Sequence, residues 1–207
     1  MIKSISFDQN EIIQWILKLH YQTDIEVDCC YSKGNFYKKG ITKPKYKFDL
    51  YPQTEDTVKA NCEELPLENE SINTLMYDPP FLSTTGNSLT KEDSSNKINK
   101  RFGVFPTEKS LFEHYIKSMT EFHRILKPNG ILIFKCQYKI SSGKQYMSHV
   151  FIINEAEKLG FYTKDMFILL AKQRIMADWQ LKNQKNARKF HSYFLVFEKS
   201  DRKIKYI

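Results

Sequence analysis

Asp78-Pro79-Pro80-Phe81 puts a carboxylate, proline carbonyls and an aromatic plane within four residues, directly after the mostly apolar run of residues 71–77. Two consecutive prolines fix their own φ angles, remove two backbone donors and hold the residue before each in extended geometry. The loop is therefore stiff and its carbonyls point outward. An exocyclic amino group could donate to the Asp78 carboxylate and the Pro79 carbonyl while Phe81 stacks on the base that carries it. The plain structural alternative is a proline turn after a strand, with Asp78 capping a neighbouring group.

A second set of residues could hold a polar ligand. Asp28 precedes Gly34 by six residues, Asp49 ends a short segment that reads as a strand, and Asn61-Cys62 ends a weaker one. A glycine lets backbone approach a ligand closely, and a carboxylate can chelate two hydroxyls of a sugar. A third set is basic: residues 172–189 hold six Lys or Arg against one Asp, with Trp179 among them, which suits contacts to a phosphate backbone and one stacked base. Lys33, Lys38 and Lys39 could extend that rim, and solvation of an exposed face would explain the same charges.

The elements that must position these groups follow from periodicity. Asp8 caps a helix carrying Ile12, Ile13, Trp15, Ile16 and Leu19. Strands are expected over residues 24–30, 46–50, 57–62 and 71–77, and the connector after the first is so short that any helix in it is limited to a turn or two. Residues 82–100 are polar and read as a long mobile loop. A helix resumes at residues 107–108 and runs to Leu126, where Lys127-Pro128-Asn129-Gly130 stops it. The continuous apolar run of residues 131–136 has the pattern of a strand covered on both faces. A helix over 149–159 and strands over 162–170 and 192–198 complete a βαβ order. This predicts an α/β fold, a mostly parallel sheet with helices on both faces and a terminal antiparallel strand, whose ligands bind beyond the carboxyl ends of the strands.

Composition narrows the class. A chain of 207 residues with 41% hydrophobic content can bury one full core, so residues 1–207 read as a single domain with a mobile loop over 82–106 and a basic insertion over 172–190. No stretch approaches the ~20 apolar residues of a membrane span, and the first residues do not have the pattern of a secretory signal. A cytoplasmic location and no membrane partner are expected. The net charge of +8 suits a polyanionic partner. Cys29, Cys30, Cys62 and Cys136 show no C-x-x-C spacing, so they read as reduced core thiols, with no metal site expected.

Taken in order, Asp28 with Gly34, Asp49, Asn61-Cys62, Asp78-Pro79-Pro80-Phe81 and the helix-Lys127-Pro128-Asn129-Gly130-strand segment resemble the catalytic domain of the S-adenosylmethionine-dependent amino-methyltransferases that modify adenine N6 or cytosine N4 in DNA. The resemblance extends over residues 7–199, and its sharpest motif is residues 78–81. It implies a class I methyltransferase (Rossmann-like) fold with S-adenosyl-L-methionine as cofactor. Asp28, Cys29, Gly34, Asp49, Asn61, Cys62 and Asp78 would bind it, and Asp78, Pro79, Pro80 and Phe81 would be catalytic. Nucleic acid would be the substrate, DNA before RNA, met by Arg174, Trp179, Lys182, Lys185, Arg188 and Lys189. A specificity partner or a second copy of the chain could supply the recognition for which no large domain is visible. Family members carry two or three glycines in the first turn, whereas Ser32 and Lys33 stand where another is expected here. Cytosine C5 chemistry is set aside, because none of the cysteines follows a proline. An RNA base amino-methyltransferase and a catalytically silent nucleic-acid-binding module remain as alternatives. A protein glutamine N5 enzyme fits less well, since its loop ordinarily begins with Asn.

Overall fold

The computed structural model describes residues 1–20, 24–81, 83, 105–141, 143–173 and 184–205. In chain order the elements are β1 (Ile5–Ser6), α1 (Gln9–His20), β2 (Val27–Asp28), β3 (Tyr46–Asp49), β4 (Val58–Lys59), β5 (Ile72–Tyr77), α2 (Glu108–Ile125), β6 (Leu126–Cys136), β7 (Lys139–Ser141), β8 (Lys144–Tyr146), α3 (Ser148–Lys158), β9 (Phe161–Leu170) and β10 (His191–Lys199). Eight strands make one sheet in the order β1-β9-β10-β6-β5-β2-β3-β4, and β7 and β8 pair as a separate hairpin. Only β10 runs against its neighbours: it is antiparallel to both β6 and β9, while the other pairs are parallel. The expected mostly parallel sheet with its antiparallel terminal strand is therefore present.

Both faces are covered. On one, Ile12, Ile13 and Ile16 of α1 pack with Met76, Ile131, Ile133, Phe194 and Val196. On the other, Leu111, Tyr115, Met119 and Phe122 of α2 and Ile152 and Ala156 of α3 pack with Leu75, Tyr77, Leu132, Phe134 and Leu195. Alternate residues of β5, β6 and β10 thus feed opposite cores, which is why these strands read as continuous apolar runs rather than alternating ones. Local signals set the helix ends. The Asp8 carboxylate accepts from the Asn10 N–H at 2.9 Å, and Thr107 and Ser110 form a reciprocal capping box at the start of α2.

The structure departs from the sequence reading at four points. The βαβ order is not continuous: among the described residues, the connectors β2–β3, β3–β4 and β4–β5 contain no α-helix. The first of them covers its face with the buried side chains of Tyr31, Phe36, Tyr37 and Ile41 instead. The strand expected over 57–62 shrinks to Val58–Lys59 at the sheet edge, where Val58 is exposed and, among the described residues, β3 is its one partner strand. Residues 127–130 do end α2, but they form an irregularity within β6: Ile72 pairs with Leu126 and Thr74 with Ile131, so the turn is looped out between two ladder positions. A Cβ on Gly130 would stand 2.8 Å from the Lys127 carbonyl oxygen, which explains the glycine. Finally, β1 and the β7–β8 hairpin have no counterpart in the sequence reading. Residues 82–100, expected as a mobile loop, lie outside the described residues except for Ser83.

The turn after β2 is locked from below by a buried carboxylate. Asp28 is fully buried, and it accepts from the Cys30 N–H at 2.9 Å and the Tyr37 hydroxyl at 2.8 Å. Burial pushes its pKa up to about 7, the hydrogen bonds from Tyr37 and Cys30 offsetting only part of the desolvation. The unfolded chain ionises this group near 3.8. The stabilising preference for the protonated folded form is therefore complete below that pH and is lost as pH rises through about 7. Urea unfolding should show the wild-type protein losing about 2–3 kcal/mol more stability between pH 5 and pH 8 than Asp28→Asn does. Parallel pH profiles for the two proteins would show that Asp28 is ionised in the fold throughout.

Candidate active site

The sheet reverses its direction of growth between β2 and β5: from β2 the chain moves outward through β3 and β4, then returns to β5 and proceeds to β6 on the other side. Connections from the two strands diverge there and leave a crevice at their carboxyl ends, the usual ligand position in open α/β sheets. A cleft of about 570 Å³ occupies that position. Its volume falls in the ~300–1,000 Å³ range of small-molecule sites. Cys29, Cys30, Tyr31 and Ser32 line it from the β2 turn, Asp49, Leu50 and Tyr51 from the end of β3, and Asn61 and Cys62 from the segment after β4. Asp78, Pro80 and Lys135 close it from β5 and β6, and His114 of α2 stands beside them.

The β2 turn takes its shape with one glycine where two or three were expected. Gly34 has φ +65°, and a Cβ there would meet the Tyr31 hydroxyl at 2.5 Å, so Gly34 is required by the packed Tyr31 ring. Ser32 adopts φ 50°, the left-handed region that favours glycine. Ser32 thus takes, without a glycine, a conformation that glycine usually supplies. Ser32 N–H donates to the Asp49 carboxylate at 2.9 Å, which holds the turn against β3. The Ser32 hydroxyl is buried with no hydrogen-bond partner among the described residues. Side chains of α1 fasten the far end of the turn, Asn10 donating to the Phe36 carbonyl at 2.8 Å and Gln9 to that of Asn35 at 3.4 Å.

Asp78 sits at the mouth of β5 with a quarter of its side chain exposed. Its partner is Lys135 of β6, whose ammonium stands 3.3 Å from Oδ2 and packs over the rings of Phe36 at 4.9 Å and Phe194 at 5.7 Å. Burial raises the Asp78 pKa, and the Lys135 charge and hydrogen bond restrain the rise. The carbonyls around it are sorted. Tyr115 donates its hydroxyl to the Pro80 carbonyl at 2.9 Å, and Lys139, paired with buried Glu108, donates to the Phe81 carbonyl at 2.6 Å. No hydrogen bond from the described residues engages the Pro79 carbonyl. The loop is thereby held at three points, the Asp78 carboxylate and the Pro80 and Phe81 carbonyls.

The expected residues divide accordingly. Cys29, Asp49, Asn61, Cys62, Asp78 and Pro80 come together in the cleft lining. Asp28 and Gly34 lie beneath it and shape the turn; Pro79 is buried, and neither Pro79 nor Phe81 is among the described lining residues. Arg174, Trp179 and Lys182 lie outside the described residues. Lys185 is exposed, Arg188 is half-buried, and Lys189 places its ammonium 4.4 Å from the centre of the Tyr138 ring. Because Leu170 pairs with His191, the segment between them leaves and re-enters the sheet at the carboxyl edge, the edge that carries the cleft.

Lys135 and His114 are among the lining residues that escaped the sequence reading. Lys135 had a signal, as the charged residue interrupting the apolar run of residues 131–136. His114 had none, since it reads as part of a helix. It bonds Glu63 through Nδ1 at 2.7 Å and the Tyr77 hydroxyl through Nε2 at 3.0 Å, and Phe105 lies against its ring at 4.9 Å.

Neither a protein-family model nor a curated protein matches the chain. Solved structures do. A candidate sarcosine dimethylglycine methyltransferase from Galdieria sulphuraria covers 93% of this chain and 85% of its own at 13% identity, with a TM-score of 0.55. A chain from the complex between the Haloferax volcanii Trm112 methyltransferase activator and a candidate methyltransferase covers 95% and 96% at 13% identity, with a TM-score of 0.52. The chain spans about half the length of a candidate DNA modification methylase from Thermus thermophilus: 68% of this chain matches 51% of that one at 16% identity, and the TM-score of 0.39 carries no argument. Likeness at these identities establishes architecture, and with the strand order above it shows that the chain has the class I methyltransferase fold, a Rossmann-like α/β sheet.

Proposed function

We propose that the protein is an S-adenosyl-L-methionine-dependent methyltransferase acting on the exocyclic amino nitrogen of a base in DNA, adenine N6 before cytosine N4. The observation that carries this reading is Asp78, a carboxylate held at the carboxyl end of β5, on the cleft at the switch point, by an ammonium 3.3 Å away. Residues 1–207 act as one domain in this reading, without membrane attachment and in the cytoplasm. Residues 82–106 and 172–190 serve the substrate, and a specificity partner or second copy adds recognition.

The cleft fits the cofactor in its donor set: an acid at the end of β3, Asn61 and Cys62 beyond β4, and the orphaned Ser32 hydroxyl in the β2 turn. Asp49, Asn61, Cys62 and Cys29 would hold it, with Asp28 and Gly34 shaping the turn around it. When bound, the cofactor supplies an electrophilic methyl group. The protein's task is to make an aromatic amine nucleophilic. Two hydrogen bonds, from the amino group to the Asp78 carboxylate and to the Pro79 carbonyl, favour a pyramidal nitrogen with its lone pair free of the ring. Positive charge that develops on nitrogen is stabilised beside Asp78, whose raised pKa also suits it to take the proton released. Lys135 keeps that carboxylate ionised until then. Phe81 stacks on the base, which must leave a duplex to enter, at a cost of a few kcal/mol. Lys185, Arg188 and Lys189, with Arg174, Trp179 and Lys182, follow the nucleic-acid backbone along the same edge.

Transfer of a labelled methyl group to duplex DNA, single-stranded DNA and structured RNA, with nucleoside analysis of each product, tests the reading. N6-methyladenine in DNA is expected; label in RNA alone would replace DNA by RNA as substrate, and no transfer would overturn the proposal. Asp78→Ala should lower kcat by ~100-fold or more and leave cofactor affinity within a few-fold of wild type. Lys135→Met removes the cation that restrains the Asp78 pKa, so the acid limb of the rate profile should move to higher pH; an unmoved limb would separate Asp78 ionisation from catalysis. Neutralising Lys185, Arg188 and Lys189 together should reduce the slope of log affinity against log salt by up to about 3, and an unchanged slope would assign these charges to solvation.

A further inference from the structure

The sheet order brings together three sulfurs that the sequence separates. Cys29 and Cys30 leave β2, Cys62 follows β4, and their Sγ atoms all lie within 4.8 Å of one another. Cys30 and Cys62 stand 3.7 Å apart. A tetrahedral ion with bonds of ~2.3 Å to sulfur has a sulfur–sulfur edge of about 3.8 Å, so this pair already has the spacing of two ligands on one ion. A disulfide would need it to close to ~2.05 Å. All three residues line the cleft, the side from which an ion would enter. We propose that Cys29, Cys30 and Cys62 form a three-thiolate site for a thiophilic divalent cation of the zinc class.

On binding, three S–H groups release their protons to solvent and three metal–sulfur bonds form, leaving a net charge of −1 on the site. The hydrogen bonds that the thiols now donate, from Cys62 to the Cys29 carbonyl at 3.0 Å and from Cys29 to the Met76 carbonyl at 3.5 Å, are given up in exchange. Soft thiolate donors favour zinc and cadmium over magnesium or calcium. Because the site shares the cleft wall, an ion there would weaken cofactor binding, a consequence that rests on the proposed cofactor site.

The direct test needs no activity. Reduced, metal-free protein is titrated with Cd²⁺ while the ultraviolet sulfur-to-cadmium charge-transfer band is followed, and Zn²⁺ is then added as competitor. A band saturating at one equivalent, displaced by Zn²⁺, kept in Cys136→Ser and weakened at least tenfold in affinity in Cys30→Ser and Cys62→Ser, is expected. Should the serine variants fail to fold, peptide-resolved maleimide labelling of the wild-type protein replaces them, with Zn²⁺ expected to protect Cys30 and Cys62. No saturable band near one equivalent, a band indifferent to both substitutions, or labelling that Zn²⁺ leaves unchanged would overturn the proposal. If the metal binds and cofactor affinity does not respond, the site stands and the cofactor placement falls.

Discussion

Asp78 and Lys135 form an ion pair between adjacent parallel strands, and much of the molecule is arranged so that it forms. The register of β5 on β6, with Tyr77 opposite Phe134, brings the two residues that follow them to one edge of the sheet. Lys135 is only 13% exposed, and its charge is sheltered by the rings of Phe36 and Phe194. Phe36 arrives from the β2 turn and Phe194 from β10, so the pair depends on elements far apart in sequence. Removing either partner would leave a desolvated charge, which is far more costly than the pair itself is stabilising.

The same economy of polar groups governs the rest of the site. Tyr115 and Lys139 each bind one carbonyl of the proline loop, and Asp28 binds the turn opposite from beneath. A stiff loop and a tethered turn face each other across the cleft. Neither requires the large ligand-induced ordering that would draw on binding energy. The turn shows that a glycine-rich motif is one solution to a backbone requirement: Ser32 occupies the left-handed region at a modest conformational cost, and its N–H bond to Asp49 offsets part of it.

How much of this was legible in the sequence follows from the range of the interactions. The three described helices, the β5 and β6 strands and the terminal antiparallel strand are encoded by local periodicity and caps, and they were readable. Residues 78–81 announced a stiff acceptor loop for the same reason. What depends on distant pairing was not readable. β1 has two residues and exists through its partner β9, more than 150 positions away. The helix-free connector after β2 escaped because aromatic side chains such as Tyr31 and Phe36 cover the face that a crossover helix would. The burial of Asp28 and the meeting of Cys30 with Cys62 arise from the order of strands in the sheet, which no spacing rule in one segment contains.

In the proposed reading, the cleft at the β2–β5 switch point binds S-adenosyl-L-methionine through the acid that ends β3. Calorimetric titration of the cofactor into wild-type protein and Asp49→Ala, with folding of both checked by urea unfolding, tests it most directly. One-to-one binding to the wild type and at least about tenfold weaker binding to the variant are expected, as loss of a charged hydrogen-bonding group implies. No binding to the folded wild-type protein, or equal affinity in the two, would contradict it.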